Sequence, residues 1–153
     1  MSKKIIIIFI LPFFFLSCGF KKINMDNPLV DLNVVIVGEN RIAYVIKNNI
    51  LLISNKDAVK KYDINIEISK NKKIKIKDKT GKVTRYELSI RANLTIKDKA
   101  TQKNINKSFS KSSGYQVSPS HTNTIANEKS VIKNLTQQLS DELTNFIIFS
   151  NKN

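Results

Sequence analysis

From Tyr62 to Ile96 the chain alternates between apolar and polar positions. Tyr62, Ile64, Ile66, Ile68, Ile74 and Ile76 are apolar, with Asp63, Asn65, Glu67, Ser69, Lys73, Lys75 and Lys77 between them. After Asp78-Lys79-Thr80-Gly81 the pattern resumes, again on even numbers, with Tyr86, Leu88, Ile90, Ala92, Leu94 and Ile96. A period of two sends successive side chains to opposite sides of a strand. The even positions therefore predict a buried face along the whole run, and the odd positions a solvated one. The Gly-containing segment reads as a turn, so the two runs predict a long antiparallel hairpin.

A second turn spans Asp98 to Lys103, and a weaker strand follows it. Its apolar residues, Ile105, Phe109, Tyr115 and Val117, fall on odd numbers. Directly paired residues share a face, so even positions must meet odd ones. Ile96 opposite Ile105 and Ala92 opposite Phe109 satisfies this, with residues 97–104 as the connection. Ser108, Ser110, Ser112, Ser113 and Gly114 make this strand polar and predict a sheet edge.

Upstream, Leu32 to Val37 is a short β-rich run broken by Gly38-Glu39-Asn40. Ile42, Val45, Ile46, Ile50 and Ile53 then recur at three- and four-residue steps. They predict a helix from Arg41 to about Ser54, with Asn40 placed to cap it. Pro119 ends the last strand. Ile125, Ile132, Leu135, Leu139, Leu143, Phe146 and Ile147 mark the face of a final helix from about Thr124 to Phe149. Glu128, Lys129, Lys133, Asp141 and Glu142 lie mostly off that face and exclude a membrane-spanning role. The order β-α-β-β-β-α predicts an α+β two-layer sandwich, a mostly antiparallel four-stranded sheet with two helices packed on one face.

The first residues carry a different signal. Lys3 and Lys4 precede an apolar run from Ile5 to Leu16, and Ser17-Cys18-Gly19 follows. A basic start, an apolar core and a small residue at the break describe a secretory signal peptide. The run is shorter than the roughly 20 apolar residues a bilayer span needs. The single cysteine of the 153-residue chain stands at the expected cut. This arrangement predicts a bacterial lipoprotein, cut before Cys18 and acylated on its thiol; the alternative is an ordinary signal peptide with a chance cysteine. Gly19, in place of an Asp, points to outer-membrane delivery. The predicted layout is a signal peptide over 1–17, a lipidated tether over 18–30 and one α/β domain over 31–153.

Composition narrows the chemistry. The formal charge of +14 attracts polyanions such as nucleic acid, anionic lipid or phosphorylated glycolipid. Export separates the protein from nucleic acid, which is therefore not expected as a partner. The alternative source of the basicity is codon composition, since 23 Lys stand beside 23 Ile and 18 Asn but only 3 Arg. Acylation of Cys18 would leave no thiol. The lone His121 lies beside Pro119, in what reads as a loop, with no identifiable Asp partner. The glycines at 19, 38, 81 and 114 form no phosphate loop. These absences predict a binding protein, with no catalytic set, metal or cofactor. Arg85, Arg91 and Lys97 fall on the polar face of the hairpin's return strand, and Lys73, Lys75 and Lys77 on the matching face of the outgoing one. They are candidate ligands for glycolipid phosphates, set against the alternative of a merely solvated face.

Several local sequences resemble the LptE family of lipopolysaccharide-assembly lipoproteins. Cys18-Gly19-Phe20-Lys21 matches the opening of many mature members, although Lys22-Ile23 departs from it. Lys47-Asn48-Asn49-Ile50-Leu51 stands where members carry an early helix with Arg-Asn or Lys-Asn before Leu. The stretch Arg85 to Ile96 resembles the family's long strand. Tyr115-Gln116-Val117 and Ala126-Asn127-Glu128 resemble the Tyr-x-Val and Ala-x-Glu that open its last helix. The resemblance implies a lipid-anchored protein on the periplasmic side of the outer membrane. It implies a 1:1 complex in the lumen of an LptD-type β-barrel, and a role in carrying lipopolysaccharide to the outer leaflet. Two other readings remain open at this point: a generic envelope lipoprotein that binds a protein or an anionic polymer, and a secreted hydrolase.

Overall fold

The computed structural model describes residues 30–151. The predicted signal peptide, Cys18 and most of the predicted tether lie outside the described residues. The elements are β1 (Val30–Gly38), α1 (Asn40–Leu51), β2 (Lys60–Lys77), β3 (Val83–Asp98), β4 (Asn104–Gln116) and α2 (His121–Ser150). The order β-α-β-β-β-α is the predicted one. The four strands form one sheet in the order β1-β2-β3-β4. β1 runs parallel to β2 through the α1 crossover, and the other two pairings are antiparallel.

β3 is central, and its even-numbered row is the heart of the core. Leu88, Ile90 and Ala92 are 0% exposed and Leu94 and Ile96 2%. Ile64, Ile66 and Ile68 of β2 lie in the same layer, as do Val30, Leu32 and Val34 of β1. Each such side chain contributes roughly 1.5–3 kcal/mol by leaving water. α1 covers the row with Ile42, Ile46 and Ile50, one turn apart. α2 covers it with Leu135, Leu139, Leu143 and Ile147, again one turn apart. The register of β4 is the predicted one, with Ala92 opposite Phe109 and Ile96 opposite Ile105. β4 lies at the sheet edge.

Gly38 closes β1 for a steric reason. Its φ is 113°, and a Cβ there would lie 2.0 Å from the carbonyl oxygen of Ile68 on β2. Only glycine allows the two backbones to approach so closely.

Several expectations are corrected. Asn40 is the first helical residue; Glu39 holds the cap position, and no side-chain hydrogen bond caps it. α1 stops at Leu51, and Ser54 beyond it accepts a hydrogen bond from the Leu32 N–H at 3.0 Å. Val45, expected in the core, is 39% exposed. The buried face also does not run the length of the hairpin, because Ile74 is 50% and Ile76 47% exposed. The hairpin outruns the helical layer there, and the register shifts between Ile74 and Lys77. Ile105 and Ile125 are likewise exposed, and Val117 lies just outside β4. His121 is the exposed first residue of α2 rather than a loop residue. No helix among the described residues is long and apolar enough to cross a membrane.

Leu88→Asp or Ile90→Asp is expected to unfold the domain. An uncompensated buried carboxylate costs several kcal/mol, against about 5–15 kcal/mol for the whole fold. Ser89→Asp on the outer face, and Ile74→Asp beyond the helices, are expected to leave the circular dichroism melt nearly unchanged. Equal damage at all four positions would overturn the face assignment.

Candidate functional site

The uncovered side of the sheet carries the candidate cations. Odd positions of β3 point there, so Arg85, Arg91 and Lys97 do share a face. Arg91 sits between Ser69 of β2 and Ser110 of β4, and Lys97 between Asp63 and Asn104. Arg85 faces Gln116. At about 3.3 Å per residue, Arg85 and Lys97 are roughly 40 Å apart. They are stations along one face, not a single pocket.

The lysines of β2 behave differently from one another. Lys73 is directly opposite Glu87 and Lys75 follows at the bulge. Both reach the same carboxylate, Lys73 at 2.8 Å to Oε1 and Lys75 at 2.7 Å to Oε2. Hydrogen bonds from Lys73, then Lys75, hold the Glu87 carboxyl down at about 2. Parity alone marks the two lysines as candidates and does not reveal their shared acid partner. The odd number of Glu87, on the same face, was the available signal. Lys77 pairs with Val83 beyond the bulge, and no acid lies within salt-bridge reach of it among the described residues. Lys97 neighbours Asp63, whose carboxyl is held below its ordinary range first by the Asn33 amide and then by Lys99.

Arg85 is half-buried, and its Nε, shielded from water, has no hydrogen-bond partner among the described residues. Its side chain passes over Gly114, where a Cβ would come within 3.5 Å of that Nε. A hollow of about 240 Å³ opens beside it, lined by Ile76, Thr84, Gln116 and Val117. A second hollow of similar size surrounds Arg91, lined by Ser69, Asn71, Ser89 and Ser110. Both are shallow, polar and fit for phosphate or hydroxyl groups rather than for apolar bodies.

On the inner side, a polar clasp ties the projecting hairpin to α2. Lys72 Nζ lies 2.6 Å from Glu128 Oε2 and 4.5 Å from the Tyr86 ring centroid. Tyr115 donates its hydroxyl to the same carboxylate oxygen at 2.6 Å and stacks on Tyr86 at 5.7 Å. Burial opposes both charges, and the ion pair outweighs it. Lys72 is held above its ordinary value and Glu128 below. Among the described residues no group of His, Cys, Asp and Glu side chains is placed to hold a metal.

The depressed pKa of Glu87 has a definite sign. Its stabilising pair is complete above the ordinary carboxylate value of 4.5 and is lost as pH falls through about 2. An NMR titration should place the Glu87 midpoint near 2, and Lys73→Ala with Lys75→Ala should return it toward 4.5. An unmoved midpoint would show that the lysines do not hold the carboxylate.

The sequence and the fold both have relatives. The LptE family, described as lipopolysaccharide-assembly, matches over residues 30–147. No curated protein sequence matches significantly. The fold is similar to rare lipoprotein B from Shewanella oneidensis, with a TM-score of 0.64, 12% identity, and coverage of 79% of this chain and 96% of that one. It is also similar to an uncharacterized lipoprotein B from Nitrosomonas europaea, with a TM-score of 0.64, 12% identity and coverage of 82% and 86%. A lipoprotein from Caulobacter crescentus gives a TM-score of 0.55 at 13% identity, covering 80% and 92%. At such identities these three likenesses speak for the fold alone. The family match takes in every strand and nearly all of α2, and the chain belongs to the LptE family of lipopolysaccharide-assembly proteins.

Proposed function

We propose that this protein is a non-enzymatic outer-membrane lipoprotein, anchored through Cys18 on the periplasmic side. In this reading it forms a 1:1 complex with an LptD-type β-barrel, helps it assemble, plugs its lumen and assists passage of lipopolysaccharide to the outer leaflet. The observation that carries the reading is the family match across the domain. The outer sheet face supports direct contact with glycolipid. Arg85 and Arg91 border polar hollows, and Lys77 and Lys97 extend the positive face at either end. Lys73 and Lys75 contribute less free charge, because Glu87 already neutralises part of it. The chemistry is recognition of phosphate by fixed cations, without a bond made or broken.

The anchor, the partner and the glycolipid contact are tested separately. Mass spectrometry of the mature protein should find acyl chains on an N-terminal Cys18; a Cys18→Ser protein that still fractionates with membranes by itself would count against the anchor. Affinity purification from solubilised outer membrane should return the barrel in equal amount, and depletion should lower surface lipopolysaccharide and leave the barrel misassembled. Normal lipopolysaccharide and a normal barrel would replace this reading with that of a generic envelope lipoprotein. Reversal of Arg85, Arg91 and Lys97 to Glu should weaken glycolipid binding at low salt while the fold survives, since such contacts are screened beyond about 8 Å at physiological ionic strength. Unchanged binding would leave the face as solvated surface only.

A further inference from the structure

The helical layer holds a larger concavity of different chemistry. A groove of about 700 Å³ runs between the start of α1 and the middle of α2. That size is within the roughly 300–1,000 Å³ of small-molecule sites. Its floor is aliphatic, made by Ile42, Val45 and Ile132. Val45 is the helix residue expected in the core and found 39% exposed. Its open side faces this groove. The rim is cationic, with Arg41 and Lys70 on one bank and Lys129 and Lys133, one turn apart, on the other. Among the described residues the single acid of the lining is Glu39, which Lys70 holds at 3.0 Å. Among the described residues no acid lies within salt-bridge reach of Arg41, Lys129 or Lys133.

We propose that this groove binds one acyl chain bearing an anionic head group. An aliphatic floor gives a bare oxyanion or a sugar nothing to gain, and an unneutralised cationic rim gives a simple hydrocarbon nothing to gain. A slender chain with one charged end satisfies both. Long Lys and Arg stems lie along an apolar surface and keep their charges at its margin, which suits a head group held at the groove mouth. Shape argues against a protein helix as occupant. α1 and α2 touch farther along, where Asn49 Nδ2 donates to Ser140 Oγ at 2.9 Å. The groove is therefore bounded at that end by two helices in contact, where a slender chain enters more readily than a third helix about 10–12 Å across. The site is on the opposite layer from the outer sheet face and does not depend on the function proposed above.

A photoreactive alkyl phosphate, with a diazirine at the chain end, tests this on the full chain in neutral maltoside micelles. Peptide mapping should place the label in α1 and in α2 around Lys129 to Gln137. A neutral alkyl maltoside with the same diazirine should label this region about tenfold less, because rim charge is what selects the anion. Lys129→Glu with Lys133→Glu, and separately Val45→Asp, should each reduce phosphate-probe labelling by a similar factor. Val45→Leu should preserve it, and circular dichroism should show all variants folded. Arg91→Glu on the sheet face should leave groove labelling intact. Equal labelling by both probes, label spread evenly over the chain, or indifference to the Lys129, Lys133 and Val45 changes would overturn the proposal. So would an acidic helical peptide that occupies the groove when the alkyl phosphate does not, which would make this face a protein-docking surface.

Discussion

Leu88, Ile90, Ala92, Leu94 and Ile96 stand on one side of the central strand and are all but removed from water. A sheet alone cannot do this; an apolar face of three or four strands needs a second layer. α1 and α2 supply it with rows of Ile and Leu spaced one turn apart. Because both helices lie on that side, nothing among the described residues covers the opposite face. Its odd-numbered residues, including Ser69, Ser89, Arg91 and Ser110, remain available to a ligand or partner. One-sided burial is thus the reason that the protein has an open face at all.

The same constraint explains the hairpin tip. β2 and β3 run for 18 and 16 residues, longer than the helices can cover. Past Ile68 the β2 residues leave the core, and Ile74 and Ile76 are half in water. What orders the extension is main-chain pairing together with side-chain contacts near its root. Lys72, Glu128, Tyr115 and Tyr86 join the hairpin to α2 on the inner side, while Lys73, Lys75 and Glu87 cross-link its two strands on the outer side. The outer pairs are exposed and add little stability. Their larger effect is on charge, since Glu87 consumes part of the positive field at the tip.

Most of the fold was legible because period two and period 3.6 are strong signals. The faultless alternation of β3 set its inner face, and the parity argument fixed the register of β4 down to Ala92 opposite Phe109. The failures share a cause. Ile74, Ile76, Ile105 and Val45 are apolar residues in correct periodicity that nothing among the described residues covers, the first two beyond the helical layer, Ile105 on the edge strand and Val45 at the groove between the helices. Periodicity reports which side a residue faces and is silent on whether anything lies over that side. The cationic face was legible in the same limited way. Parity put Arg85, Arg91 and Lys97 on one side, but their separation follows from strand length. The capture of Lys73 and Lys75 by Glu87 required the pairing register. The groove was beyond sequence reasoning, because Arg41 and Lys70 approach Lys129 and Lys133 only through the packing of the two layers.

A chain of net charge +14 draws anions from a distance without discrimination. Discrimination must come from what surrounds each cation within a screening length of about 8 Å. On that scale Arg91 has Ser69, Ser110 and, diagonally across the strands, the Glu67 carboxylate for company, and Arg85 and Lys97 are too distant from each other to act on one head group. The sheet face therefore presents cations spaced along its strands rather than one gathered binding pocket. The groove cations instead share an aliphatic floor, so a ligand there gains from chain burial as well as charge. Two layers built from one burial constraint thus present two kinds of positive surface, one of separated cations on a polar sheet and the other of a cationic rim around an aliphatic floor.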